Sequence, residues 1–196
     1  MGEVVLVRHG ETEWSRTGQH TGNSDIPLTR TGEEQAQALR SALRRRTFTL
    51  VLTSPLQRAA RTAELAGLAM PLPDRDLLEW DYGSYDGRTT ADIQRDRPGW
   101  TVWNGGTPDG ETVEDVGARS DRVLGRVRTR LAEFDGDVAL VGHGHALRVL
   151  AARWLELPAD CGRLFRLDTA TVSVLSEEHH CPALRRWNLS PEDPRA

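Results

Sequence analysis

Short aliphatic runs alternate along this sequence with segments of helical periodicity, and this alternation constrains the fold more than any other feature. Residues 4–7, 50–53 and 137–141 are mostly apolar and predict buried strands, and each of the later two is followed closely by a helical pattern. Strands that alternate with helices favour a parallel sheet covered on both faces. At 196 residues, the chain is expected to form one α/β domain over residues 1–196, a three-layer α/β/α sandwich with a mostly parallel central sheet.

The helix boundaries are predicted from capping signals and breakers. Three helix starts show a Ser or Thr three positions before an acidic residue or Gln: Thr31 with Glu34, Ser54 with Gln57, and Thr112 with Asp115. Further strands are expected at residues 171–175 and 185–188. Residues 12–28 are polar and rich in breakers, and residues 100–110 contain three glycines, so we predict an irregular surface loop and a loop over the site.

Composition excludes several classes of protein. The formal net charge of −4 provides no overall basic field for nucleic acid, and no apolar run is long enough for a membrane span. The two cysteines, Cys161 and Cys181, are too few for a disulfide framework. The first residues lack the pattern of a secretion signal, so we expect a cytoplasmic protein that binds neither nucleic acid nor membrane.

Two arginines and two histidines follow the predicted strands: Arg8 and His9 after the first, Arg58 at the start of the helix after the second, and His143 after the third. The carboxyl ends of parallel strands share one edge of a sheet, so these side chains are expected to form one pocket. Arginine forks and a helix N-terminus bind phosphate, and nearby cations favour the neutral His9 that attack on phosphorus requires. The pattern predicts phosphoryl transfer without a metal.

A leaving alkoxide needs a proton, and a carboxyl group among apolar residues can carry one near neutral pH. Glu79 lies between Leu78 and Trp80 and fits this role. Asp81 is the alternative, although its place before a glycine-containing turn also suits a structural residue.

Four segments resemble, in order, the signatures of the histidine phosphatase superfamily, the phosphoglycerate mutase-like proteins. They are residues 6–12 (LVRHGET), residues 54–63 (SPLQRAARTA), Glu79 with Tyr82-Gly83, and Gly142-His143-Gly144. The resemblance implies a phosphohistidine on His9, and it implies no cofactor. It assigns phosphoryl binding to Arg8, Arg58 and His143, and proton donation to Glu79. It places substrate contacts at Thr21, Gly22 and Gly144. We expect further contacts at Tyr82 and at Ser15, whose hydroxyl can form a hydrogen bond where family members often have an asparagine.

The departures from the mutase pattern favour a phosphatase. No lysine follows Gly87 closely, and residues 100–110 lack the paired arginines with which mutases hold a substrate carboxylate. Such a pocket is expected to release its product. We therefore predict a metal-independent phosphomonoesterase for small phosphorylated metabolites or sugar phosphates, similar to bacterial acid phosphatases and fungal sugar bisphosphatases. A cofactor-dependent phosphoglycerate mutase is the alternative.

Two other classes of function compete with this prediction. A non-catalytic phosphate-binding protein could share the fold, and a metal hydrolase could use His143 with His145, or His179 with His180, although no further metal-ligand spacing is present. Trp100 and Trp103 suit a wall of the substrate site, core packing or a homodimer contact equally well.

Overall fold

The computed structural model of the protein describes residues 2–193, and its centre is one six-stranded sheet. The strands are β1 (Val4–Arg8), β2 (Phe48–Thr53), β3 (Leu72–Pro73), β4 (Asp137–Gly142), β5 (Val172–Glu178) and β6 (Cys181–Leu189). Their order across the sheet is β3-β2-β4-β1-β5-β6. The first four in this order are parallel, whereas β5 is antiparallel to both β1 and β6. The predicted mostly parallel sheet is confirmed.

Within residues 2–193, seven α-helices surround or extend this sheet. They are α1 (Glu13–Thr17), α2 (Arg30–Leu43), α3 (Gln57–Leu65), α4 (Thr90–Asp96), α5 (Val102–Gly105), α6 (Val113–Glu133) and α7 (Gly144–Trp154). Short 3₁₀ turns occupy Arg75–Leu77, Gly83–Tyr85 and Ala159–Leu164. None of the helices within residues 2–193 is long and apolar enough to cross a membrane.

The alternation of side chains along β1 divides the core into two layers. Val4 and Leu6 pack with apolar residues of α6 and α7, whereas Val5 and Val7 pack with those of α2 and α3. All four side chains are buried. A strand that buries both of its faces must be covered on both sides, and this is the expected three-layer α/β/α arrangement.

The N-terminal ends of two helices differ from those that the capping signals predict. α2 uses Thr29 rather than Thr31 as its N-cap, with Thr29 Oγ1 accepting Gly32 N–H at 3.0 Å. Thr29 is held there because its N–H donates to Glu11 O at 2.9 Å. The contact with the loop after β1 therefore outweighs the local Thr31–Glu34 pattern.

The predicted start of α3 is also too early, because Ser54 is not its N-cap. The helix begins at Gln57, whose N–H donates to Asp25 Oδ1 at 2.8 Å. A side chain from a distant loop thus satisfies the first turn of this helix, and Ser54 is free to contact His143 instead.

Two predicted loops contain short helices, and the last strand is longer than expected. α1 lies within residues 12–28 and α5 within residues 100–110, each begun by a Thr whose capping partner is Ser15 or Asn104. β6 covers Cys181–Leu189 rather than residues 185–188, because it pairs with the whole length of β5.

A third cluster of buried side chains lies outside the two sheet layers and is rich in aromatic residues. Its members are Trp80, Tyr82, Tyr85, Ile93, Trp100, Val102, Val116 and Val149, with Trp103 packed against them. Trp100 is buried in this cluster. Core packing thus accounts for Trp100 within the chain.

Candidate active site

The segment Arg8-His9-Gly10 lies where β1 ends between β4 and β5. His9 N–H donates to Gly142 O at 3.0 Å, and Gly10 N–H donates to Thr62 Oγ1 at 3.0 Å. Hydrogen bonds to the neighbouring strand and to α3 therefore fix the backbone that carries the candidate nucleophile.

The first turn of α2 packs directly on the loop after β1, backbone against backbone. A Cβ atom on Gly10 would lie 2.3 Å from Gly32 O, and one on Gly32 would lie 2.1 Å from Glu11 O. No side chain fits at either position without moving main-chain atoms. This contact holds the loop after β1 rigidly against α2.

The ring of His9 is held in the form that nucleophilic attack requires. Its Nδ1 lies 2.7 Å from Gly10 O, and a carbonyl only accepts hydrogen bonds, so Nδ1 carries the proton and Nε2 has the free electron pair. Burial lowers the pKa of His9 well below its usual range, and the charges of Arg58 and Arg8 lower it further. The residue is neutral at neutral pH.

His143 stands edge-on to His9, with ring centroids 5.1 Å apart. Arg58 Nε–H donates to His143 Nδ1 at 3.1 Å, so the proton of His143 is on Nε2, which lies 2.7 Å from Ser54 Oγ. Burial and then the charge of Arg58 lower the pKa of His143 well below its usual range. In this arrangement both ring nitrogens of His143 have protein partners.

Arg58 is fully buried and contacts His143, the neighbour of His9. Besides His143, its guanidinium donates to three backbone carbonyls of the loop before α2: Thr21 O at 3.1 Å, Gly22 O at 3.0 Å and Ser24 O at 2.8 Å. The structure thus brings Arg58 and His143 to His9, but neither residue lines the cavity described below.

A cavity of about 190 Å³ opens beside His9 at this edge of the sheet. Its lining includes the predicted residues Arg8, His9, Ser15, Thr21, Glu79, Tyr82 and Gly144. Many ligand sites have volumes of several hundred Å³, so this smaller cavity favours a small substrate. Larger cavities exist elsewhere, including one of about 1070 Å³ between α2, the segment after α3 and Pro191, but none of the residues with the predicted chemistry lines it.

Arg8 and Gly144 lie next to each other in the lining of the cavity. Arg8 Nη1 donates to Leu167 O at 2.5 Å, whereas Arg8 Nε is buried without a hydrogen-bond partner among the described residues. Buried donors are normally paired, and a phosphoryl oxygen would pair this one. Gly144 lies against the same guanidinium, since a Cβ placed on it would be 3.3 Å from Arg8 Cζ.

Glu79 is the one carboxylic acid among the residues that line the cavity. It is buried, and its carboxylate accepts Trp80 N–H at 2.9 Å, Ala146 N–H at 2.8 Å and His145 N–H at 3.1 Å. Two of these donors belong to the first turn of α7, so Glu79 caps the helix whose N-terminus faces the cavity.

Asp81, the alternative acid, lies outside the cavity lining. Its side chain accepts hydrogen bonds from Gly83 N–H and Asn23 Nδ2 at 2.9 Å each. A carboxylate that bonds the backbone two residues ahead is a turn residue. The geometry therefore favours Glu79 over Asp81.

The remaining predicted substrate contacts divide into two groups. Ser15 lines the cavity and also closes the capping box of α1. Gly22 does not line the cavity, and its carbonyl accepts a hydrogen bond from Arg58 instead. Tyr82 lies in the wall, with its hydroxyl 2.6 Å from His145 Nδ1. Burial raises the pKa of Tyr82 well above its usual value, so this group is a neutral phenol.

The sequence analysis does not predict several residues of the cavity lining, chiefly His20, His145 and Arg148. Arg148 follows Gly144 by four positions, so the two share one face of α7. That spacing is a usable signal once Gly144 is placed at the site. His20 comes from the loop after α1 and carried no such signal.

The geometry of the histidine pairs does not favour a metal centre. Within residues 2–193, no group of three or more His, Cys, Asp or Glu side chains is placed to hold a metal ion. Both ring nitrogens of His143 are engaged by Ser54 and Arg58. His179 and His180 lie in the exposed turn between β5 and β6.

Comparison with known proteins places these features in a family. Residues 4–190 match the model of the histidine phosphatase superfamily (branch 1). An acid phosphatase of Mycobacterium tuberculosis is 39% identical over 178 residues, which cover 90% of this chain and 87% of that protein. Sedoheptulose 1,7-bisphosphatase of Saccharomyces cerevisiae is 37% identical over 185 residues, which cover 78% of this chain and 67% of the relative.

A solved structure is also similar over nearly the whole fold. The product of an open reading frame of Mycobacterium tuberculosis matches with a TM-score of 0.93 and 37% identity, covering 97% of this chain and 99% of that one. The family match includes all six strands and the segments that carry His9, Glu79 and His143.

Proposed function

The chain belongs to the histidine phosphatase superfamily and is a phosphatase, and we propose that it hydrolyses small phosphomonoesters through a phosphohistidine formed on His9. The observation that carries the proposal is the state of His9: a neutral ring with its proton on Nδ1, beside the cationic Arg8 in a small cavity. Relatives that act as acid phosphatase and sugar bisphosphatase favour sugar phosphates or similar small metabolites as substrates.

In the first step, the electron pair of His9 Nε2 attacks phosphorus, and the bond from phosphorus to the ester oxygen breaks. The guanidinium of Arg8 and the N–H of Gly144 stabilise the charge on the transferring oxygens. Glu79 serves as the general acid and gives a proton to the leaving alkoxide. The step ends with phosphorylated His9, free alcohol and the Glu79 carboxylate.

In the second step, the Glu79 carboxylate takes a proton from water while the water oxygen attacks phosphorus. The phosphorus–nitrogen bond breaks, inorganic phosphate leaves, and His9 and the acid form of Glu79 are restored. Arg58 and His143 contribute through the surroundings of His9: burial, and then the charge of Arg58, keep the ring neutral before attack. Direct contact of either residue with the phosphoryl group stays a prediction from the family resemblance.

The test is to trap the intermediate. Rapid mixing with a phosphomonoester, followed by an alkaline quench, should give a phosphorylated protein whose label is lost in acid, as expected for a phosphoramidate. His9→Asn should abolish the label and lower kcat/KM at least a thousandfold, because the nucleophile is absent. His180→Asn is the matched control, because His180 is exposed and has a positive φ that Asn readily adopts.

Two results would contradict the proposal. Wild-type turnover in His9→Asn would show that another group attacks phosphorus. Loss of activity in EDTA that zinc restores would show that hydrolysis depends on a metal rather than on a phosphohistidine.

A further inference from the structure

An ion pair between Arg119 of α6 and Glu111 contacts the segment that carries Glu79, and the catalytic steps above do not use it. Arg119 Nε donates to Glu111 Oε1 at 2.8 Å and Nη2 to Oε2 at 3.0 Å, so the pair is bidentate. The two side chains are only 7% and 26% exposed. Desolvation offsets much of the attraction within a buried ion pair, so stability alone is a weak reason for one.

Arg119 also binds the main chain just before Glu79. Its Nη1 donates to Asp76 O at 2.9 Å and to Leu78 O at 2.6 Å. A guanidinium is planar and rigid, so the bond to Glu111 on one edge fixes the direction of the donors on the other. The ion pair therefore sets the position of the carbonyl that directly precedes Glu79.

Glu111 binds the main chain just after Glu79. Its Oε2 accepts Asp81 N–H at 2.9 Å, and its own N–H donates to Asp81 O at 2.9 Å. Its carbonyl accepts a hydrogen bond from Nε1 of the buried Trp80 at 2.9 Å. Residues 76–81 are thus held on both sides of Glu79 by two residues that are bonded to each other.

The carboxylate of Glu79 has other partners, which belong mainly to α7. Ala146 N–H and His145 N–H bind its two oxygens, whereas the ion pair binds the flanking main chain. A general acid must lie within hydrogen-bond reach of the oxygen that it protonates. A misplacement of about 1 Å in such a site can lower the rate roughly a hundredfold. The main chain of this segment is therefore a sensitive point for proton transfer.

We propose that the ion pair of Glu111 and Arg119 positions the general acid, by fixing the main chain on both sides of Glu79 so that its carboxyl group reaches the ester oxygen of the substrate. Both are positioning residues, since neither lines the cavity. The proposal rests on the phosphatase function above and adds two residues on which proton transfer in the first step depends. The competing explanation is that the pair only ties α6 to the rest of the fold.

The test compares two substrates that differ in their need for a proton. The alkoxide that leaves glycerol 3-phosphate must be protonated, whereas the phenolate that leaves p-nitrophenyl phosphate need not be. Glu111→Gln keeps the shape of the side chain, but its amide places an NH2 group where one carboxylate oxygen accepts a hydrogen bond. The loss in kcat/KM should be roughly tenfold for glycerol 3-phosphate and much smaller for p-nitrophenyl phosphate.

A double variant separates positioning from a general structural effect. In a Glu79→Gln background the acid is already absent, so adding Glu111→Gln should lower kcat/KM for both substrates by the same factor. A merely structural pair would give that equal factor in the otherwise wild-type protein as well.

Arg119→Lys is the second variant, because lysine keeps the charge but its single ammonium cannot reproduce the bonds of the guanidinium fork. It should give the same selective loss for glycerol 3-phosphate. If Glu111→Gln does not fold, Arg119→Lys takes its place in the double variant, with circular dichroism and Tm confirming the fold. Arg122→Met is the matched control, since Arg122 is an exposed residue of α6 that pairs with the side chain of Asp76. It should leave both kcat/KM values unchanged.

Three outcomes overturn the proposal: equal losses for the two substrates in both single variants, no loss for either substrate, or a selective loss that persists in the Glu79→Gln background. Each of these can occur while the wild-type protein hydrolyses phosphomonoesters through His9. Failure of the wild type to hydrolyse any phosphomonoester would instead contradict the proposed function itself, so the two failures are distinguishable.

Discussion

Lowering the pH from 7.0 to 5.5 should destabilise this protein strongly, because three histidines are held neutral. Burial lowers the pKa values of His9, His143 and His145 well below their usual range, with nearby arginines lowering them further. In the unfolded chain each imidazole has a pKa near 6.5 and takes up a proton below that pH. The unfolded state is then stabilised, and the folded state is not.

The magnitude follows from linkage between protonation and folding. Between pH 7.0 and 5.5, each such histidine should lower the free energy of unfolding by about 1.2 kcal/mol, so the three together should lower it by about 4 kcal/mol. His20, whose pKa is also lowered by burial, acts in the same direction. This is a large part of the 5–15 kcal/mol that is typical of a folded protein.

Carboxylates should contribute little in this pH window. Hydrogen bonds and arginines lower the pKa values of Asp76, Asp115 and Asp168 in the folded state, although burial opposes this effect in each. Stability from a lowered carboxyl pKa is present above the unfolded value near 4 and is lost only as the pH falls below it. Acid destabilisation between pH 7.0 and 5.5 is therefore a property of the histidines.

The assay is urea unfolding, followed by tryptophan fluorescence at both pH values in buffers without phosphate, since a bound phosphate would stabilise the folded state. His9→Asn should reduce the pH-dependent loss by about 1.2 kcal/mol, and the exposed His180→Asn should leave it unchanged. A total loss below about 1 kcal/mol, or a His9→Asn protein with the full wild-type loss, would show that His9 is not held neutral and would refute the account of the nucleophile.

Two further predictions concern the catalytic groups. Glu79→Gln should slow hydrolysis of sugar phosphates, whose alkoxides need a proton, far more than that of p-nitrophenyl phosphate, whose phenolate does not; equal losses in kcat would exclude the acid role. Arg8→Met should lower kcat/KM roughly 10²–10³-fold, because a charged donor to the transferring phosphoryl group is lost. The exposed Arg95→Met, whose partner is Asp92, should leave steady-state kinetics unchanged, and a similar small effect for Arg8→Met would remove Arg8 from the phosphoryl site.

The sheet and the position of the site were predictable because they depend on short-range patterns. Aliphatic runs identified β1, β2 and β4, and a parallel sheet gathers the residues at its carboxyl edge whatever the strand order. The strand order, by contrast, depends on which helices cross which face. Only the folded chain shows β1 between β4 and β5.

The helix starts were less predictable, because tertiary contacts compete with local signals. Thr29 caps α2 through its bond to the loop after β1, and Asp25 satisfies the first turn of α3 from a distance. The caps of α1 and α5 were present in the sequence, but their partners Ser15 and Asn104 replace the usual acidic residue. A broader definition of the capping box would have found both helices.

Within the site, residue identity was easier to predict than residue role. Arg58 and His143 were recognisable from their positions after strands, but their partners are set by side-chain packing across three segments of the chain. Arg148 carries no motif of its own. Its position became informative only when Gly144 was placed beside Arg8.

The direct backbone contact between Gly10 and Gly32 has a consequence for how this enzyme can be redesigned. The side of the cavity that carries His9 tolerates almost no change in volume, because main chain meets main chain there. A second side of the cavity is formed by side chains, including those of His20 and Arg148. Mutant libraries that seek new substrates should vary that second side, where altered shape and charge leave the placement of the nucleophile intact.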